Sequence, residues 1–174
     1  MSQIYLREIL REDLPIINRW RADNQLVNLL GSAFRYVGIE VDSKWFDSYL
    51  ETRQNNIRLA ICLTEQDKLL GGVYLLGIDW VNRSAEFAIQ IGEQEELGKG
   101  IGELATQMAV HHAFNDLNLY RLHLTVLATN TRAIKLYHKI GFIEEGLLRH
   151  AVYKNGVPHD LIIMALLKNE CDFV

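Results

Sequence analysis

The sequence predicts a single α+β domain built on one mixed sheet, and three observations lead there. A chain of 174 residues is long enough for one full core and short for two. Alternating apolar runs joined by polar turns recur in both halves, the mark of half-buried strands. Between them lie segments whose apolar residues repeat at helical spacing behind capping residues. No internal repeat, low-complexity stretch or linker divides the chain, so the expected unit is 1–174.

Taken in order, Ile4 to Ile9 alternates and reads as a first strand. Asp13 can cap a helix that tolerates Pro15 in its first turn and carries Leu14, Ile17 and Trp20 on one stripe. Leu26 to Val41 reads as a loop with short helical pieces. Asp42 or Ser43 then caps a helix with Trp45, Phe46, Tyr49 and Leu50. Ile57–Leu63 and Leu69–Ile78 form a hairpin across the polar turn at 64–68, and Asp79–Ser84 turns into a strand ending at Ile91. Ile101, Leu104, Ala105, Met108, Ala109 and Ala113 make a helical stripe, and Arg121–Leu127 alternates as a strand. Asn130 caps Thr131–Ile140, which Gly141 terminates. Phe142–Leu147 and Leu161–Leu167 complete the strands, with Asn155-Gly156 as the turn between flanking runs.

Composition narrows the function classes. A net charge of -4 argues against nucleic acid as main partner, because phosphate contacts need a basic patch. No apolar run reaches membrane length and no signal peptide is apparent, so a cytoplasmic protein is expected. Cys62 and Cys171 are too few and too far apart for a disulfide framework or a CxxC metal site. The adjacent His111-His112 pair has no metal-ligand company, and no metal is assigned.

The stretch Glu96-Leu97-Gly98-Lys99-Gly100-Ile101-Gly102-Glu103 carries the functional signal. Glycine at every second position bridges a strand end and a helix start. Glycine admits positive φ and close backbone approach, and a helix N-terminus offers unpaired N–H groups with a positive dipole end. That combination suits a phosphate-sized anion. It is not a P-loop, since Lys99 is followed by glycine rather than Ser or Thr, and the even spacing of Gly98, Gly100 and Gly102 is not GxGxxG. A plain glycine turn is the competing reading of the loop taken alone.

A second segment decides between them: Asn130-Thr131-Arg132-Ala133-Ile134-Lys135-Leu136-Tyr137-His138-Lys139-Ile140-Gly141-Phe142. Loop and segment together resemble the GCN5-related N-acetyltransferase (GNAT) superfamily over nearly the whole chain. Arg83 to Phe87, Phe114 to Tyr120 and Glu145 to Arg149 look most like its ribosomal-protein N-terminal and spermidine acetyltransferases. The resemblance implies a mostly antiparallel sheet of about seven strands, splayed where acetyl-coenzyme A (acetyl-CoA) binds. It implies that Leu97, Gly98, Lys99, Gly100, Ile101 and Gly102 grip the diphosphate, that Ile89, Gln90 and Ile91 offer backbone groups to the pantetheine arm, and that Asn130 contacts the cofactor. A homodimer is also implied. Leu97 stands where the family has arginine or glutamine, which removes one side-chain contact, and Glu103 at the loop mouth is expected to face solvent.

Acetyl transfer to an amine sets two proton problems. An alkyl ammonium has a pKa near 10, so only about one molecule in a thousand is nucleophilic at neutral pH. The departing thiolate gains from protonation or from a hydrogen bond. Tyr137 matches the family tyrosine and is the candidate acid. Glu86, among apolar neighbours, is the candidate base: burial would raise its pKa, and an exposed residue on a half-solvated strand face is the equal alternative; a water-relayed base, with His123 and His150 as remoter candidates, stays open. The acceptor is a small amine or a peptide N-terminus. Arg21 and Arg35, on the segment expected to form the acceptor wall, disfavour a polyamine, and Trp20 is expected in the core. A non-catalytic acyl-CoA sensor and a nucleotide-binding protein are the remaining classes.

Overall fold

The computed structural model describes residues 4–174, so the first three positions of the expected domain lie outside the described residues. Strands β1 (Ile4–Glu8), β2 (Ile57–Leu63), β3 (Lys68–Asp79), β4 (Ser84–Ile91), β5 (Arg121–Leu127), β6 (Ile143–Lys154) and β7 (Val157–Leu167) form one open sheet. Their spatial order is β1-β2-β3-β4-β5-β7-β6. Neighbours run antiparallel except β4 and β5, which are parallel. A parallel pair needs a crossover, and helix α4 (Ile101–His111) supplies it.

Alternation along the strands divides the core into two layers. On one face Val73, Leu75, Ala85, Phe87, Leu122, Leu124 and Val126 pack with Ile101, Ala105 and Ala109 of α4 and with Tyr137 and Ile140 of α5 (Thr131–Ile140). On the other, Ala60 and Cys62 pack with residues of α1 (Leu14–Ala22), α2 (Asn24–Asn28) and α3 (Ile39–Thr52), among them Trp20, Leu26, Phe46 and Tyr49. Trp20 is thus a core residue, as its place on the α1 stripe predicts.

The sheet is not continuous. β4 and β5 are bridged only at Ser84–Arg121, Ala85–Leu122 and Glu86–His123. Beyond Glu86 each strand follows its other neighbour. β5 stays registered with β7 from Arg121–Leu167 to Leu127–Leu161. β4 is drawn onto β3, where Gly71 pairs with Ile91 and Gly72 with Gln90. The amides of Gly92 and Glu93 then donate to Leu70 O at 2.8 and 3.3 Å. A Cβ on Gly71 would lie 2.2 Å from the Gln90 carbonyl oxygen, so this close approach requires glycine.

Three element boundaries differ from expectation. α3 starts at Ile39 with Gly38 as its cap, because the Asp42 carboxylate is fully buried and used elsewhere: it accepts from Asn18 Nδ2 at 2.7 Å and pairs with Arg21 of α1. Asp13 likewise makes no side-chain cap to α1. It takes a two-toothed bond from Arg7 at 2.7 and 2.9 Å and one from the Leu10 amide at 2.8 Å. The last hairpin is longer than predicted at its turn end, where β6 runs on to Lys154 and β7 starts at Val157. Nearly every residue of edge strand β6 is exposed, so no buried face writes an alternation into its sequence. Its turn is as predicted: Asn155 and Gly156 both take positive φ, at 52° and 76°.

Gly71→Ala is expected to lower stability by about 1–3 kcal/mol, the usual cost of overpacking. The urea midpoint should fall at unchanged slope. An unchanged midpoint would mean that β4 does not depend on this approach.

Candidate active site

A cleft of about 720 Å³ occupies the gap between the parted strands. Its floor is β4 from Glu86 to Ile91 on one side and Thr125, Val126 and Leu127 of β5 on the other. Because β5 has left, the β5-facing edge of residues 87–91 has no ladder partner. Those peptide groups are free to pair with an extended amide-bearing ligand, as an open sheet edge does. Ile89, Gln90 and Ile91 are where the resemblance expected such contacts.

The glycine loop closes one end. Gly98 and Gly100 have φ of 86° and 82°, and Gly100 caps α4 without a side-chain hydrogen bond. The first amides of α4 therefore point out of the helix with no side chain covering them, at the positive end of its dipole. Leu97, Gly98, Gly100, Ile101 and Gly102 all line the cleft. Lys99 does not; its ammonium turns back to Glu96 at 3.1 Å. Glu103 also lines the cleft and is half-buried rather than fully solvent-facing, with its carboxylate held by Lys139 at 2.8 Å. These groups fit a diphosphate: curved backbone amides, a helix tip, and neighbouring carboxylates turned to lysines.

Asn130 does double work. Its Oδ1 accepts from the Ala133 amide at 3.1 Å, capping α5, and its Nδ2 donates to Leu29 O at 3.0 Å. The second bond ties the segment after α2, whose Leu29, Leu30, Gly31 and Ser32 form the opposite wall, to the start of α5.

Tyr137 and Glu86 both reach the cleft, from opposite faces of the sheet. Tyr137 lies on the α4–α5 side, edge-on to Phe87 at 6.3 Å and 5.7 Å from Phe142. It is 7% exposed, and burial alone pushes its hydroxyl up to about 12. Glu86 alternates with Ala85 and Phe87 and so belongs to the α1–α3 side, beside Tyr74 and Leu76. It is exposed, which decides between the two readings of its strand: the strand is half-covered, and Glu86 sits on the uncovered face. His123 is its cross-strand partner in the last bridged pair, a proximity that sequence separation conceals. His150 lies in edge strand β6 at positive φ, with its amide bonded to Asp160.

The family described as acetyltransferase (GNAT) domain matches residues 3–143. The chain belongs to the GNAT superfamily. It is 30% identical over 171 residues to a spermidine N(1)-acetyltransferase of Vibrio cholerae, covering 97% of this chain and 95% of that one. It is 32% identical over 174 residues to the Escherichia coli K12 spermidine N(1)-acetyltransferase, covering 96% and 87%. A candidate ribosomal N-acetyltransferase of Bacillus subtilis, YdaF, is 38% identical over 102 residues, 59% of this chain and 55% of that one. The crystal structure of a Vibrio cholerae spermidine N-acetyltransferase in complex with CoA and spermine superposes with a TM-score of 0.91 at 28% identity, covering 97% of both chains.

This GNAT protein is an acetyl-CoA-dependent N-acetyltransferase acting on an amine, and the splayed seven-stranded sheet is the fold that the resemblance implied. Sequence reading missed two features of its site. Arg132, on the first turn of α5, lines the cleft beside the glycine loop, a proximity that only the packing of α5 on α4 creates. Leu26, Leu29 and Leu30 give an apolar lining to a segment expected as the acceptor wall, where only Arg21 and Arg35 stood out in the sequence.

The buried phenol gives a pH prediction. A hydroxyl raised to about 12 favours the neutral form in the folded state, so its contribution is complete below about pH 10 and is lost as pH rises towards 12. The span corresponds to roughly 3 kcal/mol. In denaturant titrations, wild-type stability should fall over this range and Tyr137→Phe should fall less; equal slopes would show that Tyr137 does not titrate in the folded state.

Proposed function

We propose that this enzyme transfers acetyl directly from acetyl-CoA to a primary amine within a ternary complex, with Tyr137 serving the departing sulfur and Glu86 the incoming ammonium. The observation that carries the reading is that the two side chains enter one cleft from opposite faces of the sheet. Acetyl-CoA supplies an activated thioester. An arm lying along the free edge of β4, with its diphosphate on the glycine loop, would bring that thioester between phenol and carboxylate.

Magnitudes define the role of Tyr137. Its hydroxyl stands at about 12, whereas a thiol titrates near 8.5, so full proton transfer from phenol to thiolate runs uphill by roughly 5 kcal/mol. Tyr137 therefore acts as a hydrogen-bond donor to the charge developing on sulfur. A buried phenol is suited to this, since it stays neutral throughout the working range and meets little competing water. Glu86 draws the ammonium by charge and takes its proton on the other face, directly or through a water near His123.

The acceptor end supports a particular class of amine. Leu26, Leu29, Leu30, Leu76 and Leu161 line it, with Tyr74 and Ser32. Of the lining carboxylates, Glu96 pairs with Lys99 and Glu103 with Lys139, which leaves Glu86 alone among the described residues to meet a cation. One carboxylate in an apolar wall suits a peptide N-terminus or small monoamine with an apolar body, whereas a polycation calls for several carboxylates. A panel of peptide N-termini, monoamines and spermidine, read by CoA release, tests this. Highest kcat/KM with spermidine would overturn the acceptor assignment and leave the transferase standing.

With the best acceptor, Tyr137→Phe should lower kcat roughly 10- to 100-fold while leaving CoA affinity within about twofold. Glu86→Gln should raise the amine KM as well as lower kcat. Unchanged kcat in the first variant would remove Tyr137 from the chemistry.

Residues 1–174 are proposed as one N-acetyltransferase domain, working in the cytoplasm where acetyl-CoA is available. A homodimer through edge strand β6 is supported by exposed Leu147, Leu148, Tyr153 and Val157 along the last hairpin. Sedimentation equilibrium should give twice the monomer mass of 20.0 kDa, falling towards one for Leu147→Glu.

A further inference from the structure

The glycine loop lacks the side-chain contact that its family places at position 97, yet a different cation stands over it. A Cβ built on Gly98 would have Arg132 Nη2 as its nearest heavy neighbour, at 4.0 Å. Both residues line the cleft. Arg132 projects from the first turn of α5, whose packing against α4 is fixed by apolar residues: Leu136, one turn further on, lies 3.6 Å from the Cβ position of Gly102. The guanidinium therefore reaches the loop from the neighbouring helix, without belonging to the loop motif.

The charge inventory singles it out. Four cations around the loop are already paired: Lys99 with Glu96 at 3.1 Å, Lys139 with Glu103 at 2.8 Å, Lys68 with Glu95 at 2.6 Å, and Arg19 with Glu93 at 2.6 Å. No ion pair among the described residues involves Arg132. Among the described residues it is the one cationic side chain lining the cleft, and it stands beside a loop whose backbone amides themselves suit an anion.

We infer that Arg132 supplies, from α5, the cofactor-diphosphate contact that Leu97 cannot make. The assignment rests on the cofactor reading of this cleft and adds a residue to it. Fork-shaped donors match phosphate oxygens in a way a lysine does not, so the site holds the diphosphate between a helix tip on one side and a guanidinium on the other. The consequence is a cofactor site built from two helices. Its affinity then depends on how α5 sits against α4.

Calorimetric titration of the purified protein with CoA and with 3′-dephospho-CoA tests the assignment without reference to turnover. Arg132→Ala should weaken both ligands by at least tenfold, the loss expected for a charge-assisted bond. Arg132→Lys should recover little of it. In the Arg132→Ala background, Leu97→Arg should restore affinity to within a few-fold of wild type, because it returns a guanidinium to the usual side of the loop. Binding of Arg132→Ala within twofold of wild type would overturn the inference. So would a penalty seen with CoA and absent with 3′-dephospho-CoA, which would move the contact to the ribose phosphate. Failure of the wild-type protein to bind either ligand would instead remove the cofactor reading itself.

Discussion

Everything in this enzyme depends on two parallel strands that stop pairing after Glu86 and His123. An unpaired ladder inside a protein is costly unless its peptide groups find other partners. Here the parting is enforced from outside the gap. β4 is held by β3 at Gly71 and by the bonds to Leu70 O, and β5 is held by β7 along its whole length. The end of β4 is also propped from the α1–α3 layer. A Cβ on Gly92 would lie 2.0 Å from the Trp20 ring, and Trp20 Nε1 donates to Glu93 at 3.0 Å. Glycine at 71 and 92 thus serves close approach, and the positive-φ glycines of the loop serve a different need.

The walls of the cleft are tethered by polar contacts that do little for global stability and much for shape. Asn130 holds Leu29 O, and the Lys154 ammonium, buried at the end of β6, donates to Val27 O and Ser32 O at 2.8 and 2.7 Å. Burial lowers the pKa of that ammonium, yet two carbonyls keep it satisfied. The segment after α2 is therefore pinned to α5 on one side and to the last hairpin on the other. Exposed ion pairs such as Lys139–Glu103 are worth about 0–1 kcal/mol in stability. Their importance is directional: a protein of net charge -4 must turn its carboxylates from the place where an anion docks.

The readable parts of this fold were those where local chemistry and burial agree. β2, β3 and the helix after Asn130 have a buried face or a cap that writes itself into the sequence, and their bounds were close to right. β6 escaped because an edge strand exposed along its length has no periodicity to detect. Asp13 and Asp42 misled because a capping residue looks the same in sequence as a carboxylate committed to a distant arginine. At the site, the glycine loop stood out by its spacing and Tyr137 by the family resemblance, and both line the cleft. Arg132 was not, since its relation to Gly98 exists only once α5 packs on α4. The exposure of Glu86 was left open for a related reason: its apolar neighbours face one layer while it faces the other.

That division of faces would let one phenol and one carboxylate serve together, as proposed, without neutralising each other. Placed on the same side, an exposed carboxylate and a buried hydroxyl would hydrogen-bond, and the hydroxyl would be lost to the sulfur. Separated by the sheet, they meet only through a ligand lying in the gap. In the proposed mechanism the proton from the ammonium would leave towards the solvated α1–α3 side, where Glu86 is exposed, while negative charge would develop on the dry α4–α5 side, where the Tyr137 phenol, at about 12, would donate a hydrogen bond to it. A phenol that keeps its proton would, on this proposal, let the sulfur depart as a hydrogen-bonded thiolate that takes its proton from water as the product leaves. The proposed chemistry consequently calls for no proton shuttle between the two halves of the cleft and leaves Tyr137 unchanged at the end of a turnover.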